Sequence, residues 1–111
     1  MTTQIPEPVA TLITAVNSHN EAAFLDCFTA DGYVDDWGRV FRGREAIDRW
    51  SRKELIGADG TLTVQSVTTT GDGEVVVVGD WRSNYANGLS SFAFAPAGDK
   101  VASMTIREAH G

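Results

Sequence analysis

Positive charge is scarce in this chain: nine Lys and Arg stand against fifteen Asp and Glu, a formal net charge of −6. That balance repels phosphate backbones and anionic lipid, and no local basic cluster overrides it, so neither nucleic acid nor a membrane is an expected partner. Cysteine occurs once, as Cys27 in an apolar run, which excludes an internal disulfide and reads as a small buried hydrophobe suited to a reducing cytoplasm. No apolar stretch nears the roughly eighteen residues of a spanning helix, and nothing basic precedes Arg39 to open a signal peptide. A cytoplasmic location is therefore expected. Histidine is nearly missing too: His19 closes a helical stretch, where it meets the negative end of the helix dipole, and His110 lies in a terminal tail, so neither reads as catalytic. With acids that lack ligand-like spacing, no metal site is expected, and "GDGE" at 71–74 is a hairpin turn rather than a calcium loop. GxSxG, Walker and dinucleotide fingerprints are absent, and no cofactor is expected.

What is present suits one globular domain over residues 1–111, 42% hydrophobic and 22% charged with only three prolines, a composition able to offset its ordering entropy by burial. Val9, Leu12, Ile13 and Val16 recur at helical spacing and predict a helix from about Pro6 to Ser18. Asn20 is a capping residue, and Phe24, Leu25 and Phe28 form the apolar side of a short second helix that "ADG" at 30–32 ends. Residues 33–37 and 39–42 read as two strands joined at Gly38. A third helix follows from Arg44 to Leu55, with Ile47 and Trp50 on its buried face and the i,i+4 pairs Glu45 with Arg49 and Asp48 with Arg52 on its wet one.

From Thr61 onward β-branched runs alternate with "GDG", "YANG" and "PAGD", predicting four antiparallel strands. The register of the run at 74–82 stays open: either Val76, Val78 and Asp80 or Val77, Gly79 and Trp81 face inward. Helices followed by a meandering sheet make an α+β domain with a hollow between the layers. The opposite sheet face carries Thr61, Thr63, Gln65, Val67 and Thr69, a β-branched surface compatible with a two-fold contact.

The stretch "FTADGYVDDWGRVFRGREAIDRW", in this order of elements, resembles the nuclear transport factor 2-like superfamily, in its SnoaL-like branch beside ketosteroid isomerase. Asp31, Asp36, Gly43, Arg44, Ile47 and Trp50 occupy the places of that family's acidic turn, strand carboxylate, Gly-Arg corner and third-helix pair. The resemblance implies a cystatin-like cone, a curved antiparallel (mixed) sheet wrapped over three N-terminal helices, and a homodimer. It specifies fold far better than activity.

Asp36 stands five positions after Asp31, the relation that the resemblance assigns to a ketosteroid isomerase base. Alternation puts Val34 and Asp36 on one strand face and Tyr33, Asp35 and Trp37 on the other. A carboxylate facing an apolar hollow is desolvated and gains affinity for a proton, which suits proton transfer on a carbon acid. The bland alternative has Asp36 bond the Gly38 turn or pair with Arg39 or Arg42. Asp80 is a second acid if it enters the same hollow, and otherwise a strand residue paired with Arg82 or Lys100. Val34, Trp50, Trp81, Tyr85, Ser90, Phe92, Met104 and Ile106 are the expected pocket lining.

The oxyanion donors of a steroid isomerase are not matched: Leu12 stands where the resemblance would place a tyrosine, and Ser90 or Ser91 where it would place a protonated aspartate. Classical steroid isomerisation is disfavoured. The expectation is a protein that binds a small, largely apolar organic ligand, as an isomerase, cyclase or dehydratase using Asp36, or alternatively as a non-catalytic ligand-binding or accessory module. An exposed apolar patch near Trp37 and Tyr85 would point instead to a protein partner.

Overall fold

In the computed structural model, which describes residues 4–109, the elements run α1 (Val9–Asn17), α2 (Glu21–Asp26), β1 (Phe28–Asp36), β2 (Arg39–Arg42) and α3 (Arg44–Glu54). A single 3-10 turn at Ile56–Ala58 then leads into β3 (Thr61–Thr69), β4 (Val75–Arg82), β5 (Gly88–Ala97) and β6 (Lys100–Glu108). The six strands form one mixed sheet in the order β2-β1-β6-β5-β4-β3. Among the described residues, only β1 and β6 pair in parallel. The fold is α+β, with the helices and the inner sheet face sharing one core. No helix among the described residues is long and apolar enough to cross a membrane. His110 lies outside the described residues.

Local chemistry explains the boundaries. Helix α1 starts at Val9, three residues later than the periodicity predicts, because Pro8 stands at its N-cap and disfavours helical backbone at Glu7. It ends where His19 takes a left-handed φ of 55°, with His19 N and Asn20 N donating back to Val16 O and Ala15 O. His19 Nε2 then bonds Gly60 O at 2.8 Å, while the Asn17 side chain exchanges bonds with both backbone groups of Leu62. These contacts tie α1 to the start of β3. Asn20 caps α2 as expected, accepting from Ala23 N.

Helix α2 does not run on to "ADG". Phe28 already belongs to β1, since Val101 N captures Cys27 O and the Arg44 guanidinium donates twice to Phe28 O. Tertiary hydrogen bonding overrides the helical spacing of Phe28, and residues 30–32 become an irregular part of the strand.

Strand β4 resolves its own register: Val75, Val77, Gly79 and Trp81 are buried, and Val76, Val78 and Asp80 face outward. Strand β3 corrects the simple alternation. Its register with β4 slips between Val64 and Ser66, so Gln65 is an extra residue and the faces exchange there. The outward residues are Thr61, Thr63, Ser66 and Thr68, whereas Val67 and Thr69 pair on the inner side with Val77 and Val75. Val67 packs against the core.

Candidate functional site

A cavity of about 540 Å³ opens at the end of the core where β1, β2, α3, the β4–β5 loop and the ends of β5 and β6 converge. Its size suits a small organic molecule. Trp50, Leu55, Trp81, Phe92 and Ile106 give it apolar walls; Trp37 and Tyr85 stand at its rim; Asp36, Arg39, Glu54 and Glu108 supply its charges. Trp81 is held in place by a close approach: a Cβ on Gly60 would lie 2.1 Å from its ring, so only glycine fits beneath it.

Asp36 closes β1, opposite Arg39 across a two-residue turn. Its Oδ2 accepts from Trp50 Nε1 at 3.1 Å and from Arg39 Nη2 at 2.5 Å. The same guanidinium donates through Nη1 and Nη2 to both oxygens of Glu54, at 3.2 and 2.5 Å. It lies over the Phe41 ring, 5.5 Å from the centroid, and Phe41 stacks on Trp50 at 5.9 Å. One cation thus bridges two carboxylates in a planar fork, set against an aromatic pair. The Arg39 hydrogen bond pulls the Glu54 carboxyl below its ordinary value against the opposing effect of burial, with Tyr85 and Lys53 adding smaller pulls in the same direction. Arg39 is in turn held above its ordinary value, first by Glu54 and then by Asp36.

The cavity gathers Asp36, Trp50, Trp81, Tyr85, Ser90, Phe92 and Ile106. Three other residues from the sequence reading lie elsewhere. Asp80 is on the outer sheet face, paired with Arg82 at 2.8 Å, because β4 turns its odd-numbered residues inward. It completes no pair with Asp36. Val34 shares the face of Asp36 but is wholly buried in the core, and Met104 lines a separate apolar void of about 10 Å³ beside Leu12. Leu12 offers no donor to the cavity, and the Ser90 hydroxyl donates to Gly88 O at 3.3 Å.

Leu55, Arg39, Glu54, Glu108 and Trp37 line the cavity without belonging to the expected lining, and two of them show why. Glu54 follows Ile47 and Trp50 on α3 at i+7 and i+4, so an acid continuing an apolar stripe was the available signal. Trp37 escapes because its φ of 55° breaks the strand alternation that would have sent it outward.

The SnoaL-like domain family model matches residues 9–108. The chain belongs to the SnoaL-like domain family. No curated protein matches this SnoaL-like chain closely enough to be reported. Among solved structures, a Sinorhizobium meliloti protein provisionally described as a polyketide cyclase superposes with a TM-score of 0.80 at 21% identity, covering 93% of this chain and 95% of that one. The Mycobacterium tuberculosis protein RV0760c, solved with estradiol-17beta-hemisuccinate, gives 0.76 at 14% identity over 91% and 90%. The Orange Carotenoid Protein of Anabaena (Nostoc) sp. PCC 7120, solved with canthaxanthin, gives 0.78 at 19% over 96% of this chain and 38% of that one. At these identities the likeness is one of fold.

Proposed function

We propose that this SnoaL-like protein binds a small, largely apolar organic molecule in the cavity and that Asp36 acts there as a base on a carbon acid, in chemistry of the isomerase, cyclase or dehydratase kind. The observation that supports this reading is the position of Asp36 at an aromatic cavity; its pairing with Arg39, the alternative to a catalytic role, is present as well, and both of its donors, Trp50 Nε1 and Arg39 Nη2, lie on Oδ2. Two fixed bonds on one oxygen orient the carboxylate and leave Oδ1 for a substrate proton. Oδ1 takes the proton from carbon, the C–H electron pair moves into the adjacent carbonyl as an enolate, and the same oxygen returns the proton to a second carbon. The steroid rings of estradiol-17beta-hemisuccinate, with which the M. tuberculosis protein was solved, are of a size that the apolar walls of this cavity suit.

A second reading, binding without chemistry, draws on Leu12 in the core and on Ser90 turned to Gly88 O, which leave no isomerase-type donor opposite Asp36. Asp36→Asn separates the two. The assay is deuterium exchange at the acidic carbon of neutral β-diketones and steroid enones, followed by proton NMR. The first reading expects exchange to fall by on the order of a hundredfold or more with the fold intact; exchange absent in the wild type, with ligand still bound, selects the second.

The same proposal includes a cytoplasmic homodimer formed through the outer sheet face. Val76, Val78, Ser91, Ala93 and Thr105 form an uncharged, half-buried strip there. The charges beside it are already paired within the chain, Asp80 with Arg82 and Asp35 with Arg107. Such a face can be desolvated without stranding a charge.

A further inference from the structure

Trp37 is an unusual choice for its position. Trp37 and Gly38 are the two central residues of the hairpin that pairs Asp36 with Arg39, and both have positive φ, 55° and 91°. That geometry is the one Asn-Gly or Asp-Gly adopts most readily, whereas a bulky side chain at the first position is strained. Gly38 N donates to Asp35 Oδ1 at 2.8 Å, so the turn is held from the outer face of the sheet. Packing gives no return for this strain, since Trp37 is 59% exposed. What the left-handed backbone does achieve is to bring the indole off the outer face and onto the cavity rim, with Tyr85, 58% exposed, also at that rim on the β4–β5 loop. Strain of this kind persists where function requires the side chain.

The charge of the cavity narrows what those rings meet. Two of its carboxylates, Asp36 and Glu54, share one cation, Arg39, whose guanidinium is already engaged by both. An anionic ligand is repelled, and a neutral one with flat aromatic surface matches the rings at floor and rim. We infer that Trp37 is a ligand-contact residue, the outer aromatic wall for a flat, uncharged ligand, and that the strained turn is kept for this contact. The inference rests on the cavity being a ligand site, as proposed above, and adds to it the class of ligand and the residue that selects it.

Trp37→Asn tests this, because the strain and the contact predict opposite signs. The probes are Nile red, flat and neutral, and anilinonaphthalene sulfonate, flat and anionic, each titrated by fluorescence. The wild type is expected to bind Nile red in preference to the sulfonate. Trp37→Asn is expected to melt a few degrees higher, as a favoured turn replaces a strained one, and to bind Nile red about tenfold more weakly. Trp37→Phe is expected to keep most of the affinity. Undiminished Nile red binding in Trp37→Asn overturns the role of Trp37 while leaving the cavity reading intact. Failure of the wild type to bind either dye overturns the cavity reading and this inference with it. A loss of self-association in Trp37→Asn without any change in dye affinity assigns the ring to a protein contact and overturns it as well.

Discussion

Trp50 and Asp36 stand fourteen residues apart and meet through a 3.1 Å bond from the indole Nε1 to Oδ2. The helix supplies the donor and the strand the acceptor, so the bond couples the placement of α3 to that of the site carboxylate. Trp50 is nearly fully buried, and its indole N–H has Asp36 as its partner. Burying Trp without such a partner would leave a donor unsatisfied.

Replacing Trp50 with Phe removes that donor while keeping a ring to stack on Phe41. The variant should fold and should lose about 2 kcal/mol in denaturant unfolding, the size of a hydrogen bond to a charged group together with lost packing. If Asp36 is a base oriented by this bond, deuterium exchange should fall as well. Unchanged stability would mean that the bond does not bear on the fold.

The Glu54–Arg39 pair predicts an acid dependence. Because the folded value of Glu54 is lowered, its contribution is fully present above the unfolded value of about 4.3 and is lost as pH falls through the folded value. Asp35, lowered by its bonds from Arg107 and Gly38, acts in the same direction. The stability gap between the wild type and Glu54→Gln should therefore be full at neutral pH and should shrink below about pH 4. A gap that does not vary with pH would show that Glu54 acts through packing alone.

Several parts of this arrangement are legible in the sequence, and the reasons are local. Asn20 caps α2 through its own side chain, and Glu45–Arg49 and Asp48–Arg52 form at i,i+4 because helical spacing alone brings them together. Trp50 follows from the apolar stripe of α3. Strand alternation carries Asp36 to the inner face, since no bulge lies between it and Val34. What escapes depends on contacts distant in sequence or on a single unusual dihedral. Glu54 takes its role from Arg39, fifteen residues away across the mouth of the cavity. Trp37 leaves its expected face through one left-handed residue. Gln65 inverts the parity of half of β3 with no glycine or proline to mark the bulge. Phe28 has helical spacing but follows Val101 into the sheet.

Gly60 offers a test of how the cavity floor is held. An added methyl would meet Trp81 Cη2 at 2.1 Å and Leu55 O at 2.8 Å, so both a ring and a backbone group must shift. Gly60→Ala should lower stability by about 1–3 kcal/mol, the range for overpacking, and should weaken Nile red binding as Trp81 moves. Wild-type stability and affinity together would show that the floor yields without loss.

The outer sheet face provides the last prediction. Val78 sits half-buried in the middle of the uncharged strip, opposite Ser91 on β5 and Ser66 on β3. Its side chain points away from the cavity, so a charge placed there leaves the site alone. In a two-fold contact through this face, Val78→Lys would bury an ammonium with no partner, since Asp80 and Asp35 are already committed to Arg82 and Arg107. Sedimentation velocity should then find the wild type as a dimer and Val78→Lys as a monomer that still binds Nile red. A wild type that sediments as a monomer, or a lysine variant that keeps the dimer mass, would remove the sheet face from consideration as the contact. Loss of dye binding on dissociation would have a different meaning: that the cavity depends on the partner copy.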